Sequence, residues 1–241
     1  MTGLGTLING ASIIAGGIIG MFAGKLFKKE QQESICKVCG VSVIFIAVAG
    51  TMEGMLKIKD GALSSGRSML IVLCLALGTV IGEFIGIERG VERFGQWLKV
   101  KSGNSGDKGF VNAFVTASLT VCIGAMAIVG AIQDALLGDY STLSLKSVLD
   151  FIIIITMTSS MGKGCIFSAI PVLIFEGSIT LLARLISPIM TDTALEYLSL
   201  LGSVLIFCVG VNLVWGKKLN VANMLPSLIL AVGAAFLPWS F

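Results

Sequence analysis

Apolar residues run through this chain in long, nearly unbroken blocks, and the charged residues collect in short gaps between them. Crossing the hydrocarbon layer of a bilayer takes roughly 20 apolar residues in an α-helix. Blocks near that length stand at 4–24, 38–56, 68–87, 111–132, 148–162, 164–183, 198–216 and 221–239, with the fifth the shortest. None shows the strict alternation of a barrel strand, and unpaired backbone groups are too costly in lipid for anything but helices or closed barrels. The pattern predicts an all-α integral membrane protein, a polytopic helical bundle of about eight transmembrane segments. The count becomes seven if 148–183 is one broken or re-entrant element. Too little remains for a separate soluble domain, so 1–241 reads as a single transmembrane domain. The first block follows Met1 without a basic lead or a cleavage site, and it reads as part of the mature fold.

The longest gap has a pattern of its own. Over 88–101, Ile87, Val91, Phe94 and Leu98 recur at helical spacing while Glu88, Arg89, Glu92 and Arg93 point elsewhere, which predicts an amphipathic interfacial helix with Trp97 at headgroup level. The following SGNSGDKG reads as a turn-rich connector. Gly16, Gly20 and Gly24 share one face of the first helix, and Gly78, Gly82 and Gly86 one face of the third. Each set lets another helix approach closely, whether within the chain or in a homodimer.

Cationic residues set the orientation. With the N-terminus outside, twelve of the seventeen Lys and Arg fall in inside gaps, and Lys57, Lys59, Arg67, Lys146 and Arg184 are left outside. Both termini are then outside. The chain also repeats itself: VSVIFIAVAGTMEGM with RSMLIVLCLALGTVIG is similar to SVLIFCVGVNLVWG with ANMLPSLILAVGAAFL, and GTLINGASII to GCIFSAIPVL. Matching spans one to three with six to eight shifts the count by an odd number. The copies, 4–87 and 164–239, would form an inverted repeat joined by 111–132 and 148–162, with a parallel two-span repeat as the competing reading.

Composition sharpens the class. Of 241 residues, 55% are hydrophobic and 13% charged, and the mean hydropathy of +0.97 lies well beyond that of a soluble domain. The net charge of +3 reflects the inside bias and includes no basic tract suited to nucleic acid. Histidine is absent, which removes Ser-His and Cys-His triads and histidine-ligated zinc and haem. No nucleotide-binding GxxxxGK[ST] motif occurs. Cys36 and Cys39 form a lone CxxC, a weak signal for metal or redox chemistry, and the other cysteines read as small packing residues. A Ser-Lys dyad from Ser159 or Ser160 with Lys163 has spacing alone behind it. No enzyme activity or cofactor is expected, and no metal is assigned.

Against this apolar background, polar residues inside or at the ends of the blocks stand out, because in lipid they are costly and face a bundle interior or aqueous cavity. They are Asn9, Glu83, Asp134, Asp150, Glu176, Asn212 and Asn223. For the asparagines the plainer reading is interhelical hydrogen bonding. For Glu176 it is a buried pair with Lys163 or Arg184. TSSMGKG, with Ser159 and Ser160, reads either as an ordinary turn or as a helix break whose backbone carbonyls line a site, and Pro226 would mark a mate of that break.

The stretches GTLINGASIIAGG, GTVIGEFIGIERGVERFGQWL, FVTASLTVCIGAMAIVGAIQDALLGD, FSAIPVLIFEGSITLLA and GVNLVWGKKLNVANMLPSL resemble the bacterial membrane family known as domain of unknown function 554 over nearly the whole chain. Phe151 and Glu176 depart from that pattern, which has glycine and an amide there. The resemblance implies a bacterial inner-membrane protein of six to eight helices and supplies no activity. The expected function is therefore a physical inference: a transporter or channel for a small ion or polar solute, with carboxylates and amides lining its path. The alternative is a nonconducting scaffold or sensor working through protein partners.

Overall fold

The structure is a computed structural model describing residues 3–59, 62–122 and 125–237. Two long helices open it, α1 (Leu4–Gly24) and α2 (Lys29–Met55). A short antiparallel hairpin follows, β1 (Leu56–Lys59) and β2 (Ala62–Ser65), then α3 (Ser68–Ile85) and α4 (Ile87–Lys101). Next come α5 (Phe110–Cys122), α6 (Ala125–Leu137), α7 (Ser141–Met161), a 3-10 segment (Lys163–Ser168) and α8 (Ala169–Ile186). α9 (Asp192–Trp215), a second 3-10 segment (Val221–Met224) and α10 (Pro226–Ala234) end the described chain. Among the described residues six helical stretches are long and apolar enough to cross a membrane, and α5 with α6, bent by 61°, makes a seventh if counted as one.

Several expected boundaries change. The fourth block is not one straight helix: the chain bends between α5 and α6. The fifth is a full-length helix beginning at Ser141, so Lys146 lies within it and not in an outside gap. Lys146 is tolerated inside it because Asp150 supplies a carboxylate one turn on. The second block starts earlier, at Lys29, and the third ends at Ile85. The sixth and eighth each begin as a 3-10 segment, and the last helix is short. The hairpin at 56–65 was not foreseen, its four-residue strands being too brief to show a period.

Glycine decides which helices meet. A Cβ at Gly16, Gly20 or Gly24 would come within 2.8 Å of the α7 carbonyls of Phe151, Ile155 and Ser159, so α1 lies backbone to backbone on α7. α2 packs along α9 through Gly40 and Gly210. α3 runs beside the last segment, with Gly82 against the Asn223 carbonyl and Gly78 against Ser227. Gly86 does something else. It adopts φ 72° between α3 and α4, a turn position that favours glycine, and carries no helix seam.

The two 3-10 junctions share one plan. α7 ends at Gly162 (φ 97°, ψ −168°) and α9 at Gly216 (φ 78°, ψ 174°), a conformation essentially confined to glycine. Each glycine is followed by a lysine, a 3-10 turn and a proline within the new helix, Pro171 or Pro226. Contacts also sort the connections into two faces. Gly24 meets Ser159, Lys163 meets Asn104, and Lys217 meets Glu92, which gathers the ends of α1 and α7, the loop after α4 and the start of the last segment. Gly5 meets Asp134 at the opposite end of α1, and Arg67 pairs with Glu196 where the hairpin meets α9.

Candidate functional site

Four of the polar residues singled out in the sequence come together. Asn9 from α1, Asp150 from α7 and Glu176 from α8 surround the ammonium of Lys146, and Asp134 from α6 lies one turn of α1 away. All are buried, Asn9 and Asp134 completely and Glu176 to within 1%. Lys146 pairs with Asp150 at i,i+4 on α7, gives 2.7 Å to the Val121 carbonyl of α5, and stands 3.6 Å from Glu176 Oε1. Asn9 Nδ2 donates to that same Oε1 at 2.8 Å. Asp134 Oδ2 accepts from the Gly5 backbone at 2.8 Å, near the free N-terminal end of α1, where unpaired N–H groups favour a carboxylate.

Each contact depends on close helix approach. Gly5 meets Leu143 and Asp134, and Gly10 meets Leu173, so α1 is drawn against α6, α7 and α8 at the level of the cluster. Some polar atoms there have no partner among the described residues: Asn9 Oδ1, Asp134 Oδ1 and Glu176 Oε2. Buried atoms of this kind cost about 1–3 kcal/mol each if left unsatisfied.

A second polar group lies on the Lys-rich face. Glu88 N donates to Asn223 Oδ1 at 2.7 Å while Ala222 N donates to Glu88 Oε2 at 3.1 Å, so α4 and the last 3-10 turn cap each other. Lys217 bridges Glu88 at 2.9 Å and Glu92. Burial pulls the Lys217 ammonium down, yet its hydrogen bonds to Glu92 and Glu88 outweigh this and leave it above the ordinary lysine value. Asn212 closes the 216–219 loop, its Oδ1 accepting from Lys218 N and Leu219 N and its Nδ2 donating to the Leu219 carbonyl.

These groups rim a vestibule of about 500 Å³, whose walls include Glu88, Asn112, Thr116, Leu119, Asn212 and Lys217. A second cavity of about 250 Å³ lies beyond, lined by Ser118, Leu119, Cys122, Phe175 and other apolar side chains. Leu119 stands in the wall of both. Cys122 follows the carbonyl that binds Lys146, and Phe175 precedes Glu176, so the inner cavity adjoins the charge cluster.

The remaining candidates fall elsewhere. Glu83 is exposed on α3 in a shallow groove with Thr79, Val80 and Phe84. Ser159 and Ser160 are helical, and their hydroxyls bond back to α7 carbonyls at Thr156 and Met157 instead of facing a site. Lys163 bonds Asn104 and not Glu176, whose cationic neighbour is Lys146. The side chains of Cys36, Cys39 and Arg184 lie outside the described residues. Among the described residues no three His, Cys, Asp or Glu are placed to hold a metal ion. Lys146, Glu88 and Lys217 were missed as site residues. For Lys146 the signal was available, since opposite charges at i,i+4 mark one helix face.

A family model described as "Protein of unknown function (DUF554)" matches residues 4–236. The chain belongs to this family. Among DUF554 relatives, the "Uncharacterized membrane protein YdfK" of Bacillus subtilis (strain 168) is 30% identical over 237 residues, covering 98% of this chain and 97% of the relative. The "Uncharacterized protein YqgA" of Escherichia coli (strain K12) is 26% identical over 242 residues, covering 98% of each. No solved structure matches. Membership of DUF554 thus comes with a membrane protein and with no assigned chemistry.

Proposed function

We propose that the chain is a bacterial inner-membrane transporter or channel for a small ion or polar solute. The observation that carries this reading is what gathers along α5: a polar vestibule on the Lys-rich face, a second cavity that shares Leu119 with it, and the buried cluster of Asn9, Lys146, Asp150 and Glu176. A nonconducting scaffold would bury its polar groups in pairs and fill the space between them. Here three cluster atoms lack partners, and Ser118 Oγ lacks one in the wall of the inner cavity. Ionisable residues at membrane depth beside such space suit a path for ions or polar solutes.

The reading places the Lys-rich face in the cytoplasm and both termini outside, with eight crossings in which α5 with α6 and the short last segment each count as one. An inverted repeat of 4–87 and 164–239 suits the packing. α1 lies on α8, α2 on α9 and α3 on α10, so that every matched pair touches, as about a two-fold axis in the membrane plane. The test is flux in liposomes carrying purified protein, comparing protons, sodium, potassium and common anions with empty vesicles under a membrane potential. Protein-dependent flux that Glu176→Gln abolishes is the expected result. Silence across the panel, with small organic solutes included, removes the pathway in favour of a scaffold.

A further inference from the structure

We infer that Glu176 carries a proton, held in a cyclic acid-amide pair with Asn9, and that this proton is the ion the buried cluster is built to bind. The inference rests on the pathway reading only for its transport meaning; the proton site itself follows from counting donors. The Asn9 amide gives one N–H to Glu176 Oε1 at 2.8 Å. Two acceptors are then left over on the same two side chains, Asn9 Oδ1 and Glu176 Oε2, both buried and without a partner. A carboxylic acid and a primary amide satisfy each other through two antiparallel hydrogen bonds, N–H to C=O and O–H to C=O. One of the two is present. A single proton on Oε2, turned to Asn9 Oδ1, would supply the other and satisfy both orphans at once.

Among the described residues no neighbouring group offers a substitute. The Lys146 ammonium spends one N–H on the Val121 carbonyl and one on Asp150, and its approach to Glu176 is to Oε1 and not to the orphaned Oε2. From α6, Asp134 is turned to the start of α1, its Oδ2 accepting from Gly5 N. From α1 the other polar side chain nearby, Thr6, faces Thr180. From α5, Cys122 lies next to the Val121 carbonyl that Lys146 binds. From the 3-10 segment before α8, Lys163 turns to Asn104 and Cys165 to the Ala113 carbonyl.

Charge agrees that Lys146, Asp150 and Glu176 together hold one proton, and the orphaned atoms put it on Glu176. Lys146 faces both Asp150 and Glu176, so with both carboxylates ionised these three residues carry one net negative charge, while a proton on Glu176 leaves the three neutral. Loss of the proton sets two acceptors against each other and gives Lys146 a second anion to turn to. Proton release therefore changes the packing of α1 and α8 against α7. The proton passes to water, and uptake reverses the step.

The test is infrared difference spectroscopy of purified protein in lipid nanodiscs across a pH series, with thermal unfolding followed in parallel. The expected result is a protonated-carboxyl band that titrates with pH, is absent in Glu176→Gln, moves to higher frequency in Asn9→Leu as its hydrogen bond is lost, and is unmoved by sodium or potassium at fixed pH. Glu176→Gln presents a permanent N–H where the acid has its O–H, so it should fold and melt as wild type does at low pH, with a weaker dependence on pH. Spectra in which wild type and Glu176→Gln coincide at every pH that keeps the protein folded overturn the inference. So does a band that sodium or potassium removes at fixed pH, which would make the site one for an alkali cation. A Glu176 band with no flux in liposomes supports the proton site and removes the pathway; flux without the band does the reverse.

Discussion

At the scale of single residues, the cluster gives Lys146 a role that its exposure to lipid would forbid. A lone ammonium at this depth is expensive, and Asp150 one turn away makes it tolerable. Removing one member should thus cost more than removing both. Lys146→Met leaves Asp150 charged, buried and unpaired, and is expected to destabilise the protein by about 3–5 kcal/mol, while Lys146→Met with Asp150→Asn recovers most of the loss. Thermal unfolding in detergent reads both; equal losses would show that the pair has no such coupling. Lys217 is the exposed counterpart. Its folded value lies above the ordinary one, so its bonds to Glu88 and Glu92 contribute fully below the ordinary lysine range and fade as pH rises through the raised value. Lys217→Met is expected to lower the melting temperature near neutral pH by an amount equivalent to ~0–1 kcal/mol, because the side chain is nearly half exposed, and the gap should close in strong alkali.

Among the helices and their junctions, glycine separates positions that look alike in sequence. Gly82 and Gly90 both fit a four-residue spacing. Yet a methyl at Gly82 would strike the Asn223 backbone carbonyl, and one at Gly90 meets nothing within 4 Å. Gly82→Ala is expected to destabilise by about 1–3 kcal/mol through overpacking. Gly90→Ala, in an exposed helix, should stabilise by roughly 0.5–1 kcal/mol, and a melting series on the two variants checks both signs. This contrast marks how far the sequence is legible. Helical blocks show because every crossing must bury its own backbone bonds in an apolar stretch, and Asn9, Asp134, Asp150 and Glu176 stand out because polar residues are rare there. Lys146 did not, although Asp150 lies four residues on, since a lysine five residues from a helix start looks the same as one in a gap until that start is placed at Ser141. The bends were hidden for a related reason. Pro171 and Pro226 lie inside apolar runs, and what breaks the chain is the positive φ at Gly162 and Gly216 several residues earlier, which no hydropathy pattern records. Ser159 and Ser160 looked like lining for that break, but α7 continues past both and takes back their hydroxyl bonds.

For the whole molecule, the arrangement is asymmetric across the membrane. The vestibule opens among Glu88, Asn212 and Lys217 on the Lys-rich face, while the charge cluster lies toward the other end of α1, where Gly5 meets Asp134. Between them the polar lining thins to Ser118 in an otherwise apolar cavity, and Leu119 is shared by the spaces on either side. A side chain in that position sets what passes from one to the other, since a fully packed leucine excludes water and a methyl group does not. Accessibility to a membrane-impermeant thiol reagent tests this, in a background without the native cysteines. Thr116→Cys, in the vestibule wall, is expected to react when the reagent is applied from the Lys-rich face. Ser118→Cys, in the inner cavity, should stay unreactive until Leu119→Ala is added, after which it should label from that same face. Leu119→Trp should slow any flux the wild type supports without changing its melting temperature by much, because the vestibule has room for the larger ring. Labelling of Ser118→Cys with Leu119 intact would mean that the two cavities are already continuous and that control lies deeper, at Phe175 or at the Lys146 cluster itself. Labelling from the opposite face alone would reverse the direction in which the vestibule is taken to open, and with it the reading of the Lys-rich face as cytoplasmic.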